Sequence, residues 1–107
     1  RFYIHCRNVA AAVMFLLETD VKRDKFNIVG EKEVDNLALA QFIASVLNRP
    51  LISEMVDFHS SRPGHDLRYA LDGSKMKEWG WSIPVGFEDS LRKTIEWTVR
   101  NDRWLNW

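Results

Sequence analysis

Ser61-Arg62-Pro63-Gly64-His65-Asp66-Leu67-Arg68-Tyr69 puts two guanidiniums, an imidazole, a rigid residue and a permissive one into nine positions, with apolar runs on either side. Pro63 fixes its own φ and biases Arg62 towards an extended conformation, so that arginine's direction is partly set before any partner arrives. Gly64 admits a positive φ and a close backbone approach. Arg62 and Arg68 each present a planar fork of N–H donors that suits phosphate oxygens. The same residues also suit a turn into a strand whose arginines pair with Asp57 or Asp66, and surface pairs of that kind contribute little to stability.

Outward from this stretch, strand-like and helix-like runs alternate. Phe2 to Cys6 reads as a short strand or an extended entry. Asn8 is then a candidate N-cap for a helix over Val9 to Glu18, apolar nearly all round and so expected to be buried on several faces. Phe26 to Val29, ended by Gly30, has the signature of a strand. Asp35 or Asn36 caps a second helix with apolar residues at 39, 42, 43, 46 and 47, and Asn48-Arg49-Pro50 stops it. Ile52 to Phe58 alternates as a strand does, and Arg68 to Leu71 makes another short one. A small helix begins at Gly73 or Ser74 and ends at Gly80. Phe87 to Arg100 is the last long helix, with Leu91, Ile95, Thr98 and Val99 on one face. No repeat, low-complexity tract or linker interrupts this order.

Size and composition narrow the field. A chain of 107 residues holds one modest core, and 46% apolar with 28% charged residues is ordinary for a globular domain. Fifteen basic and fifteen acidic side chains cancel, so no global field points to nucleic acid or to an acidic membrane. Cys6 is the single cysteine, which excludes an internal disulfide and suits a cytoplasmic location. His59 and His65, six apart beside Asp57 and Asp66, match no zinc spacing, so no metal site is expected. Ser60 and Ser61 lack the glycine-flanked turn that exposes a nucleophile, and no catalytic residue is assigned. The tryptophans have no evenly interleaved basic residues, which speaks against a platform for single-stranded nucleic acid.

Several further elements stand in one order along nearly the whole chain. Arg1-Phe2-Tyr3-Ile4-His5 precedes an alanine-rich helix. Phe26-Asn27-Ile28-Val29-Gly30 follows, then Asn36-Leu37 at a helix start, Gly80-Trp81-x-x-Pro84, and Phe87-Glu88-x-x-Leu91-Arg92-Lys93-Thr94-x-x-Trp97. With the Arg-Pro-Gly-His-Asp stretch, this order resembles the dTDP-glucose 4,6-dehydratases of the extended short-chain dehydrogenase/reductase superfamily. Ser61 and Phe2 depart from the family, which often carries an acidic residue before the Arg-Pro pair and a polar one after the first arginine.

The fold class implied by the resemblance is α/β (mixed α+β): residues 1–107 as a small, helix-rich C-terminal substrate-binding unit that lacks the Rossmann domain. The chain opens on Arg1, directly in a strand-like run, and is expected to be a piece of a longer protein. The resemblance implies NAD as cofactor, bound by the missing N-terminal domain. Here the five glycines do not cluster as a dinucleotide fingerprint requires, and neither Tyr3 nor Tyr69 has a lysine four positions on. The fragment alone is therefore expected to be inactive, and to contribute binding energy rather than redox chemistry.

The implied partners are the nucleotide-sugar substrate, the chain's own Rossmann domain and, for the full-length enzyme, a second copy in a homodimer; neither nucleic acid nor membrane is expected. The resemblance assigns Arg1 and Arg62 to the pyrophosphate, Asn36 to the nucleotide and His65 to the nucleoside. Capping is the plainer role for Asn36, and a frayed end the plainer state of Arg1. Another UDP- or GDP-sugar dehydratase, epimerase or decarboxylase, or a free-standing non-catalytic binding module, fits the same residues. Without its packing partner the first helix should expose an apolar patch and favour self-association of the fragment.

Overall fold

The computed structural model describes residues 1–22, 24–64 and 66–105. Among them are five α-helices: α1 (Cys6–Glu18), α2 (Asn36–Val46), α3 (Phe58–Ser61), α4 (Ser74–Glu78) and α5 (Phe87–Arg100), followed by a 3₁₀ turn over Asp102–Trp104. None of these helices is long and apolar enough to cross a membrane.

Helix α1 starts three residues before the expected Val9, and its cap is His5 rather than Asn8. The His5 Nδ1 accepts from the Arg7 N–H at 3.0 Å, so an imidazole does the work usually given to a Ser, Thr, Asp or Asn oxygen. Asn8 instead lies inside the helix, only 3% exposed, where its Nδ2 donates to the Val85 carbonyl at 2.8 Å. The part-buried Val85 carbonyl takes this donor, so the asparagine serves a partner far off in sequence instead of the helix end.

Asp35 caps α2 as expected, its carboxylate accepting from the Ala38 N–H at 2.7 Å. Helix α5 occupies the expected residues. It begins at Gly86, which has no side chain to cap it, and the Glu31 carboxylate takes the role by accepting from the Phe87 N–H at 2.5 Å. A carboxylate there also answers the positive end of the helix dipole. Beside it Lys32 pairs with Glu88 at 2.7 Å.

The strands are the main correction. Phe2 to Cys6, Phe26 to Val29, Ile52 to Phe58 and Arg68 to Leu71 carry strand patterns, yet no ladder forms among the described residues. One isolated antiparallel bridge joins Phe2 to Glu33, with Arg1 and Val34 exchanging backbone hydrogen bonds of 2.9 Å on one side of it. A strand is stabilised by a paired edge, and alternation alone cannot supply one. Phe58 itself opens α3, because Asp57 ends the extended run: its carboxylate accepts from the His59 N–H at 2.9 Å and its carbonyl from the Ser60 hydroxyl at 2.8 Å. The architecture is helix-rich, and the α/β arrangement is not formed among the described residues.

The core is small. Ala12, Met76, Phe87 and Ile95 are buried, and Phe42 of α2 meets Phe87 of α5 with ring centroids 6.4 Å apart. Trp81 joins this layer against Phe15 of α1, and Trp79 meets Phe26 edge-on. Much apolar surface is left outside: Ile52 is 95% exposed, Met55 and Leu67 82% each. The radius of gyration, 17.0 Å, exceeds the roughly 13 Å of a compact domain this long. Its accessible surface of 8844 Å² stands against about 6,200 Å² for a folded monomer of this mass.

Candidate functional site

Residues 30–36 organise the region around Arg1. Gly30 is pressed against the amino-terminal arm: a Cβ there would stand 2.2 Å from the Tyr3 carbonyl oxygen, so only glycine lets the two backbones meet. Three residues on, Glu33 bridges to Phe2 through its backbone and grips Arg68 through its side chain. Both carboxylate oxygens accept from the guanidinium at 2.7 Å. The hydrogen bonds from Arg68, and then its charge, hold the Glu33 carboxyl below the usual carboxylate range, and the same bonds raise the Arg68 pKa. Arg68 is therefore paired, but with Glu33 rather than with Asp57 or Asp66.

Next to that pair, the Arg1 guanidinium lies over the Tyr69 ring, 4.8 Å from its centroid. Arg1, Tyr3, Arg68, Tyr69 and Leu71 line a cavity of ≈ 480 Å³ together with Ile28 and Val29. Among the described residues the ion pairs are Lys32–Glu88, Arg68–Glu33 and Lys75–Asp24, so the Arg1 guanidinium pairs with no carboxylate, although the amino-terminal charge of Arg1 adds to the lowering at Glu33. A cation over an aromatic face is attracted by the ring quadrupole and commits none of its N–H donors to that contact.

Asn36 is the first residue of α2, and the capping role belongs to its neighbour Asp35. Its Oδ1 accepts from the Tyr3 hydroxyl at 3.0 Å, which turns the Nδ2 donor to the other side. Tyr3 thus links Asn36 to the wall that carries Arg1. It also lines a second, more apolar cavity of ≈ 210 Å³ between α2 and α5, with Leu39, Ile43, Phe87 and Leu91.

Arg62 follows α3 on an exposed turn with Gly64 at φ 80°, the positive value that its glycine allows. Arg62 lines none of the four cavities described, so Arg1 and Arg62 are not brought into one cavity here. His65 lies outside the described residues. Among the described residues no group of three or more His, Cys, Asp and Glu side chains gathers as metal ligands would. What the arrangement offers chemically is a cation and an amide beside aromatic walls, suited to binding an anion.

No family model matches the chain, and no solved structure does. Curated relatives do. A probable dTDP-glucose 4,6-dehydratase of Sinorhizobium fredii is 30% identical over 110 residues, covering 97% of this chain and 31% of the relative. The dTDP-glucose 4,6-dehydratase of Salmonella typhimurium is 31% identical over 112 residues, covering 99% of this chain and 31% of its own length. This chain belongs to the dTDP-glucose 4,6-dehydratase family. It spans about a third of those family members, in their C-terminal part. A trifunctional UDP-glucose 4,6-dehydratase, epimerase and reductase of Arabidopsis thaliana is also 31% identical, over 104 residues and 15% of its length. Dehydratases named for two different bases thus match this chain about equally well.

The dehydratase resemblance points to Arg1, Asn36, Arg62 and His65. It does not point to Glu33, Tyr69 or Tyr3, although Tyr69 closes the Ser61–Tyr69 stretch directly after Arg68. An Arg-Tyr pair at the end of a cationic motif is a signal for stacking, but the residue stacked on Tyr69 proves to be Arg1, far off in sequence.

Proposed function

We propose that this chain is the substrate-binding C-terminal portion of an NAD-dependent dTDP-glucose 4,6-dehydratase, which forms the 4-keto-6-deoxy nucleotide sugar. In this reading Arg1 and Arg62, which line no common cavity in this chain, come together on the pyrophosphate only in the complete enzyme, while Asn36 and His65 bind the nucleotide and nucleoside. One observation carries the reading: dehydratases match nearly the whole chain at about 30% identity. The Arg1 guanidinium, on a cavity wall without an ion-pair partner among the described residues, supports it. Binding energy at the diphosphate, remote from the reacting carbons, holds the hexose in reacting geometry.

NAD belongs to an upstream dinucleotide domain. The residues of this chain do not fit it: the glycines stand apart in sequence, and Gly30 is closed by the Tyr3 backbone instead of open to a pyrophosphate. In the complete enzyme, a cytoplasmic homodimer in this reading, the Rossmann domain covers the exposed apolar side chains. It also supplies edges for the extended runs, which completes the α/β fold.

Arg1→Ala and Arg62→Ala in the full-length protein test the assignment. Each should weaken binding of dTDP-glucose several-fold while the melting temperature hardly moves. Loss of stability in step with binding would overturn it. Because the Arabidopsis relative is named for a UDP-sugar, a UDP-glucose dehydratase is the second reading; turnover of dTDP-glucose against UDP-glucose by the full-length protein separates the two.

A further inference from the structure

One contact from outside the assigned set reaches the Arg1 side chain, and two others fix what stands around it. The Arg1–Val34 backbone hydrogen bonds and the Phe2–Glu33 bridge fix where the arm starts. Glu33 then reaches across with a bidentate grip on Arg68. Tyr69, held by its neighbour, sets its ring under the Arg1 guanidinium at 4.8 Å. The contacts form one chain: Val34 holds the arm through its backbone, and Glu33 beside it holds Arg68, the sequence neighbour of the stacking Tyr69.

We propose that Glu33, Arg68 and Tyr69 are positioning residues that hold the Arg1 guanidinium ready for the diphosphate of a nucleotide sugar. The inference rests on the reading of Arg1 as a diphosphate ligand. Stability does not account for the circuit, since both charged partners are solvent-accessible, at 67% and 34% of their side chains, and such pairs contribute little to folding. Orientation does account for it. A long arginine side chain loses rotamer freedom when it binds an anion, and a side chain already laid on a ring has less to lose. The charge of Arg68 is meanwhile spent on Glu33, so the circuit adds geometry without adding a further cation.

The test is a pair of double-mutant cycles in the full-length protein, read as dTDP affinity by calorimetry. Tyr69→Leu should weaken dTDP binding about threefold or more, and Glu33→Gln should act in the same direction. Tyr69→Phe, which keeps the ring, should bind like the unaltered protein. In an Arg1→Ala background both Tyr69→Leu and Glu33→Gln should have little further effect, because the group they position is gone. Effects that persist in full in that background, or a Tyr69→Phe variant as weak as Tyr69→Leu, overturn the positioning role while leaving the Arg1 assignment standing. If Arg1→Ala alone leaves dTDP affinity unchanged, the diphosphate reading falls and this inference with it.

Discussion

Glu33 and Arg68 meet through two parallel hydrogen bonds, Nε to Oε1 and Nη2 to Oε2, each 2.7 Å long. The pair gives stability a specific acid limb. Arg68 hydrogen bonds hold the Glu33 pKa below its ordinary value in the folded chain. A depressed carboxylate contributes stability that is fully present above the unfolded-state value and is lost as pH falls through the lower folded-state value. Denaturant melts of the full-length protein should therefore show Glu33→Gln flattening part of the decline on the acid side. At neutral pH it should change stability only slightly. An acid limb of unchanged steepness would mean that Glu33 and Arg68 are not paired in solution.

Gly30 and Gly64 should respond differently to the same added methyl group. At Gly30 the methyl would lie 2.2 Å from the Tyr3 oxygen and 2.9 Å from its carbonyl carbon, both backbone atoms that cannot step aside. Gly30→Ala is expected to cost about 1–3 kcal/mol or more, as overpacking does, and to loosen the arm that carries Arg1. Gly64 has φ +80° but open space around it, so Gly64→Ala should cost only the backbone strain, about 1 kcal/mol. Thermal melts of the two variants rank them directly, and a larger loss at Gly64 would contradict the close approach of residues 1–5 to Gly30.

Local chemistry made much of the helical frame legible. Asp35 ahead of an apolar periodic run, and Glu88 and Asp89 at the start of a charged, amphipathic segment, mark α2 and α5 without reference to the rest of the chain. The misreadings share a non-local cause. Asn8 looks like a cap, but its partner is the Val85 carbonyl, 77 positions on. Arg68 has Asp66 close by in sequence, but its carboxylate is Glu33, 35 positions back. Ile52 to Phe58 alternates like a strand, and nothing in that alternation says whether an edge will lie beside it. For the proposed site, the resemblance names Arg1, Asn36, Arg62 and His65, whereas the Tyr69 ring under Arg1 and the Tyr3 hydroxyl on Asn36 are visible only once the chain is folded.

Asn8 provides a stability test independent of the site. Its amide supplies the 2.8 Å hydrogen bond to Val85, beside the more distant Ser90 hydroxyl at 3.4 Å. Asn8→Ala should destabilise the fold by about 1–3 kcal/mol, because it leaves the part-buried Val85 carbonyl with one poor donor and empties a site that is only 3% exposed. Urea melts measure the loss. A change within about 0.5 kcal/mol, the range of ordinary surface substitutions, would place Asn8 at the surface instead.

Tyr3→Phe separates orientation from stability in the other arm of the site. The Tyr3 hydroxyl donates to the Asn36 Oδ1 at an exposed position, so its loss should cost about 0.5–1.5 kcal/mol at most. If Asn36 meets the nucleotide with its Nδ2, freeing the amide to rotate should weaken dTDP binding by more than that small change in stability implies. Titration calorimetry beside a thermal melt reads both quantities. Unchanged dTDP affinity would remove Asn36 from the site and leave Tyr3 as a packing residue.

The 107-residue chain by itself should not remain monomeric. Val13, Met14 and Leu17 of α1 stay exposed, as do Ile52, Met55 and Leu67. The surface exceeds that of a compact monomer by roughly 2,600 Å², several times the ~800 Å² that each partner buries in a standard protein interface. Light scattering should find species heavier than 12.6 kDa, and Leu17→Glu, which puts a charge at a side chain 75% exposed, should shift them towards monomer. In the full-length protein the same substitution should instead lower the melting temperature, because there the proposed upstream domain occupies that face. A chain that stays monomeric over a wide concentration range would mean that these apolar side chains are covered by a rearrangement of the chain itself, and Leu17→Glu would then destabilise the monomer rather than release it.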